Sequence, residues 1–144
     1  MKQTGKSQAF FWELTVVILF FTLAAAVTLR LFVAGSQRSQ KNINQNGAML
    51  AAVSAAEQIA AADSVDIFFP GGELAEDGSL EVLYGEDWQP DREEPHFRLV
   101  LSAESEGYPA GTLYRYEIRL EKVSGEELYV LHTAKYFSEE EKMP

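Results

Sequence analysis

Hydrophobic and polar residues fall into three successive patterns along this chain. From Leu14 to Leu29, sixteen consecutive residues, LTVVILFFTLAAAVTL, carry no charge; Arg30 interrupts, and Leu31-Phe32-Val33-Ala34 resumes the run. At a rise of about 1.5 Å per residue, residues 14–34 span roughly 32 Å as a helix, close to the ~30 Å hydrocarbon core of a bilayer. Arg30 stands near the distal end, where its side chain can reach headgroups, so its cost falls below the ~2.5–3.5 kcal/mol of a central Arg. A chain of 144 residues has little core in which to bury such a segment. A membrane-spanning helix is therefore predicted over residues 9–35, behind a basic leader at residues 1–8.

The second pattern covers residues 36–63. The stretch SQRSQKNINQNG, residues 36–47, is polar and amide-rich with no apolar face. The pair Asn46-Gly47 is a turn signal at which a helix bends or ends, although continuous helix is equally compatible with its surroundings. Residues 48–62, AMLAAVSAAEQIAAA, are strong helix formers. Met49, Val53, Ala56 and Ala60 recur at steps of four, three and four, which predicts that they share the buried face. The many alanines would let this helix lie close against a sheet.

After Asp63 the period changes to two, and an antiparallel β domain is predicted over residues 64–137. Val65–Phe69 reads as a short strand stopped by Pro70-Gly71-Gly72. Leu80, Val82 and Tyr84 alternate with Glu81 and Leu83, after the turn residues Glu76-Asp77-Gly78-Ser79. Phe97, Leu99 and Leu101 alternate with His96, Arg98 and Val100. Over residues 113–121, Tyr114, Tyr116, Ile118 and Leu120 face one way, while Arg115, Glu117, Arg119 and Glu121 face the other. That alternation suits a half-solvated antiparallel sheet with a mixed-charge outer face. Ser124-Gly125 supports a turn into a last strand, Leu128–Phe137, and residues 138–144 form a charged tail. The expected architecture is α+β: a long N-terminal membrane-spanning helix followed by a small antiparallel sheet of four to five strands.

Charge sharpens this division. The chain holds 22 Asp and Glu against 12 Lys and Arg, a formal charge of -10. Residues 1–41 contain five Lys/Arg and one Glu, net +4, whereas residues 42–144 contain seven Lys/Arg and twenty-one Asp/Glu, net -14. So acidic an outer domain excludes a general nucleic-acid binder, which needs a cationic surface. Orientation is not fixed by charge: Lys2, Lys6 and the amino terminus flank one side of the apolar run, and Arg30, Arg38 and Lys41 the other. The same start also admits a secretory signal, with Lys2 and Lys6, an apolar stretch Leu14–Leu23 and an A-x-A site at Ala24-Ala25-Ala26. Against removal, apolar character continues through Val27, Leu29, Leu31, Phe32 and Val33.

No catalytic or metal constellation emerges. Cysteine is absent, which excludes disulfides, thiol nucleophiles and cysteine-ligated metals. His96 and His132 stand thirty-six residues apart on different predicted strands, without ligand spacing. The acidic segment Glu86-Asp87-Trp88-Gln89-Pro90-Asp91-Arg92-Glu93-Glu94 lacks the alternation that preorganises calcium ligands, and reads as a solvated loop. No G-x-S-x-G elbow is present, and the glycines Gly71-Gly72 and Gly107–Gly111 lack the context of a phosphate loop. No enzyme activity, metal or cofactor is expected.

The stretch Ala9-Phe10-Phe11-Trp12-Glu13-Leu14-Thr15-Val16-Val17-Ile18-Leu19 resembles the amino terminus of type IV pilins and type II secretion pseudopilins. In that family a basic leader precedes a processing site, followed by an aromatic-rich start, a Glu five residues past the cut and a long apolar helix. Glu13 matches that Glu, Phe10 and Phe11 lie in the aromatic start, and Leu14 opens the apolar run. Counting back from Glu13 puts the processing site between Gln8 and Ala9. The family's cut follows a Gly, whereas the nearest glycine here is Gly5, and the proline often found midway along the family helix is missing. The resemblance implies a structural minor subunit of a type IV pilus-like or type II secretion-like assembly. Its partners would be the membrane, other pilin-like subunits packed through the apolar helix, and a prepilin peptidase. It also implies a single-pass cell-membrane location with the C-terminal domain outside the cytoplasm. Two other readings stay open: a membrane-anchored extracytoplasmic binding domain with no filament role, and a secreted small protein released by signal peptidase.

Overall fold

The computed structural model describes residues 4–139 and is α+β. Helix α1 runs from Thr4 to Ala61. Five strands follow: β1 (Gly72–Leu74), β2 (Leu80–Tyr84), β3 (Phe97–Tyr108), β4 (Gly111–Lys122) and β5 (Glu127–Ser138). All pairings are antiparallel and the spatial order is β1-β2-β3-β4-β5, a meander in which every strand pairs with its neighbour in sequence. Two compact units divide the chain, Met1–Asn42 and Ile43–Pro144.

In the first unit the described residues are helical throughout. Residues 4–8 of the expected leader continue into the apolar run without a break; residues 1–3 lie outside the described part. This helix is long and apolar enough to cross a membrane.

In the second unit, the last turns of α1 pack on one face of the sheet. Helix persists through Asn46-Gly47, so the glycine is not a turn residue there. Its reason is close packing: a Cβ at Gly47 would stand under 3.0 Å from three atoms of the Trp88 indole. Trp88 itself adopts φ of 60°, a left-handed conformation that costs a non-glycine residue about 1–2 kcal/mol. Its ring stacks on Phe97, with centroids 4.0 Å apart and planes 8° from parallel, and the Trp88 backbone N–H donates to the Gly85 carbonyl at 3.1 Å. The burial and stacking of this ring offset the backbone cost.

The buried face of the helix is Ala48, Ala52, Ala55 and Ile59, each at 3% exposure or less. The period of four, three and four is as expected, but the phase is shifted by one residue. Met49 is 49% exposed and Ala60 lies on the surface, while Val53 and Ala56 flank the contact. The smallest side chains hold the line of contact because they allow the backbone to approach the strands, and the larger Met49 is displaced outward. Beneath them lie Val82, Leu99, Leu101, Tyr116, Ile118 and Leu120. Each fully buried aliphatic side chain contributes about 1.5–3 kcal/mol of transfer free energy.

The alternation over residues 97–101 and 113–121 is realised in β3 and β4, with Leu99, Ile118 and Leu120 fully buried. The expected strand at Val65–Phe69 does not form. A hydrogen bond from Ile67 N to Val65 O at 3.0 Å folds the backbone back, and the segment places Phe69 in the core. Gly72–Leu74 pairs with β2 instead. At the helix end no basic residue occupies the last turn. Lys135 of β5 supplies the charge, donating from Nζ to Ala60 O at 2.7 Å and to Ala62 O, where the helix dipole is negative. The expected tail begins late: Ser138 closes β5, Glu139 N donates to Ala110 O at 3.1 Å, and residues 140–144 lie outside the described part.

Gly→Ala inside a helix ordinarily stabilises by about 1 kcal/mol. Gly47→Ala should instead destabilise the full chain by about 1–3 kcal/mol through overlap with the indole. In a Trp88→Ala background the ordinary stabilising sign should return. Denaturant unfolding of the four chains in detergent micelles measures this coupling.

Candidate functional site

The residues singled out by sequence all lie on the first turns of α1. Phe10 and Leu14 are four apart and share one helix face, and Phe11 touches Phe10 edge-on with centroids 6.3 Å apart. Gln8 and Ala9 sit within the same helix and are exposed. Glu13 has no ion pair or hydrogen bond among the described residues, so its carboxylate is free where the apolar run begins.

Polar atoms inside that run are concealed. The hydroxyls of Thr15, Thr22 and Thr28 donate to the carbonyls of Phe11, Ile18 and Ala24 at 2.7, 2.8 and 2.9 Å. Each threonine thus satisfies its donor against its own helix and presents a methyl group outward. Phe20, Phe21, Leu23, Leu29, Leu31 and Phe32 are all exposed, so the segment is apolar on every side. Such a helix is long and apolar enough to cross a bilayer.

The outer face of the sheet carries the expected mixed charge. Arg98 donates from Nε to Glu121 at 2.7 Å and places Nη1 3.6 Å from Glu81, which raises the guanidinium pKa, chiefly through the Glu121 hydrogen bond. Arg119 bonds Glu117 at 2.5 Å, and Arg115 bonds Glu106 at 2.9 Å, holding the Glu106 carboxyl below its usual range. These are surface pairs, worth about 0–1 kcal/mol each. His132 Nδ1 stands 3.9 Å from Glu117, while His96 precedes β3, two strands away in the sheet order. Among the described residues no group of three or more His, Cys, Asp or Glu is placed to hold a metal ion.

Two carboxylates of the acidic loop between β2 and β3 accept from its own backbone. Asp87 accepts from Gln89 N at 3.1 Å, and Asp91 accepts from Glu93 N at 2.9 Å and Glu94 N at 3.3 Å. Arg92 bonds Glu73 and the Gly71 carbonyl, the latter at 3.0 Å. The loop is therefore built to seat Trp88, a role its acidic composition concealed; the signal in the sequence is Gly47 at the head of the alanine-rich stretch of α1. The residues of an open hollow on the core side of the sheet, Phe68, Leu74 and Tyr116, were likewise not singled out.

No protein-family model matches this chain, and no curated protein or solved structure matches it either.

Asp77 gives the turn before β2 a pH dependence. Its carboxylate accepts from the Ser79 hydroxyl at 2.6 Å and the Ser79 N–H at 3.0 Å, which hold its pKa below the ordinary 3.8, the hydroxyl contributing most. A folded value below the unfolded one stabilises above the unfolded pKa, and the benefit is lost as pH falls through the folded value. Asp77→Asn should be less stable than the native chain at neutral pH, and the two should converge in acid. Unfolding midpoints measured from pH 7 downward would check this.

Proposed function

We propose that this chain is a structural, single-pass membrane subunit of a pilin-like assembly, with α1 as anchor and packing element and the β domain displayed outside the cytoplasmic membrane. The observation that carries the reading is the first unit: a helix apolar on every side, headed by the aromatic pair Phe10-Phe11 and one unpaired carboxylate, Glu13. A carboxylate at the edge of an apolar phase is costly unless paired. A free amine on a neighbouring subunit's start would neutralise it, so the pairing forms only on assembly. Processing between Gln8 and Ala9 would create that amine five residues from Glu13.

An anchored binding domain with no filament role is the second reading, and the hollow beside Phe68 and Leu74 favours it. A role for the β domain in packing or recognition suits its charged, solvated outer face.

Glu13→Gln separates the two. Under the assembly reading, the variant stays in the membrane fraction while its recovery in cross-linked higher-order complexes falls at least about tenfold, as loss of one partner of a desolvated ion pair implies. Unchanged recovery would contradict the role of Glu13. The mass of the mature chain is the companion measurement: a start at Ala9 is expected, a start at Val27 would mean secretion, and an intact Met1 would mean a simple anchor.

A further inference from the structure

Away from α1's apolar run, a hollow of about 470 Å³ opens on the sheet face that carries the core, where the segment after the helix crosses the strands. Its walls include Val65, Ile67, Phe68, Leu74, Leu101 and Tyr116. Phe68 is 82% exposed and Leu74 78%, although both are large apolar side chains. Tyr116, by contrast, is only 5% exposed, and its hydroxyl is buried with no hydrogen-bond partner among the described residues. Large apolar side chains left uncovered around such a hollow mark an incomplete contact.

The surrounding charge selects what can complete it. From residue 62 to residue 96 the chain carries eleven Asp and Glu and one basic residue, Arg92, which is already held by Glu73 and Gly71. Asp66 lines the hollow, and neither it, Asp63 nor Glu76 has an ion pair among the described residues. A second copy of this chain would bring the same carboxylates against them, and anionic lipid would be repelled in the same way. A cationic partner would be attracted and steered.

We infer that this hollow binds an extended segment of a partner protein in which apolar side chains are flanked by Lys or Arg. The apolar side chains fill the space beside Phe68 and Leu74, and the basic residues face Asp66 on the rim. The surface is independent of Glu13 and of the assembly reading, so either can fail without the other.

The test uses the full chain in phosphatidylcholine nanodiscs. The probe is a short fluorescein-labelled peptide in which Leu and Phe alternate with Lys, with a control carrying Glu in place of Lys. Saturable binding of the Lys peptide is expected, weakened at least about tenfold by Phe68→Asp or Leu74→Asp. Both positions are exposed, so unchanged thermal transitions should show that these variants fold. Asp66→Asn should flatten the salt dependence of binding. The inference is overturned if the Lys peptide does not bind saturably, if it binds the Asp variants as tightly, or if the Glu peptide binds equally well. Self-association of the chain that is abolished by Phe68→Asp would also overturn it, assigning the surface to a second copy.

Discussion

How near the last turns of α1 can come to the strands decides the rest of the β-bearing unit. Ala48, Ala52 and Ala55 offer little more than backbone, so the helix lies directly on Val82, Leu99, Ile118 and Leu120, and Ile59 is the one large side chain it contributes to the contact. The same constraint explains Gly47, where even a methyl group would meet the Trp88 indole. It also explains the acidic loop, whose Asx contacts and left-handed Trp88 exist to bring that ring into place. At its other end the helix is finished by Lys135, which reaches across from β5 to its last carbonyls. A close contact of this kind tolerates little change of volume, because interiors packed near crystal density pay for each added methylene in strain.

Much of this was legible in sequence, and the failures are informative. Strong alternation over residues 97–101 and 113–121 announced β3 and β4 because one face is buried and the other solvated, which is the condition that writes a period of two into the sequence. The period of the helix face was legible but its phase was not. Positions 48, 52, 55 and 59 have the same spacing as 49, 53, 56 and 60, and weighting by hydrophobicity favoured Met49 and Val53 over alanine. Only the demand for close approach reverses that preference. Val65–Phe69 has strand composition, yet it forms no strand, because the backbone turns at Val65–Ile67 and Phe69 is drawn into the core. Trp88 looked like part of a solvated acidic loop because nothing local signals a contact with a residue forty-one positions earlier. The resemblance at residues 9–19 rests on side chains that are exposed on the first turns of α1, so the packing of the sheet domain neither requires nor explains them.

The two units divide the chemistry between them. In the first, charge is almost excluded and the hydroxyls of three threonines are turned inward against their own helix, so that hydrocarbon is presented all round. In the second, carboxylates dominate, but they are not spread evenly in use: those on β3 to β5 are largely paired with arginines, Asp87 and Asp91 of the Trp88 loop accept from backbone, and Asp66 beside Phe68 has no ion pair among the described residues. Beside Phe68, the Asp66 carboxylate without an ion pair among the described residues adjoins uncovered aromatic surface. This makes the acidity of the domain a selective feature rather than a uniform solvated coat.

The central claim, a helix through the bilayer with the β domain outside, is open to a direct measurement because the chain contains no cysteine and any introduced thiol is unique. Phe20→Cys, in the apolar run, and Glu104→Cys, on an exposed strand, can each be treated with a membrane-impermeant maleimide in intact cells. Labelling at position 104 together with protection at position 20 until detergent is added is the result expected. Equal labelling of both positions, or protection of position 104 in intact cells, would contradict it.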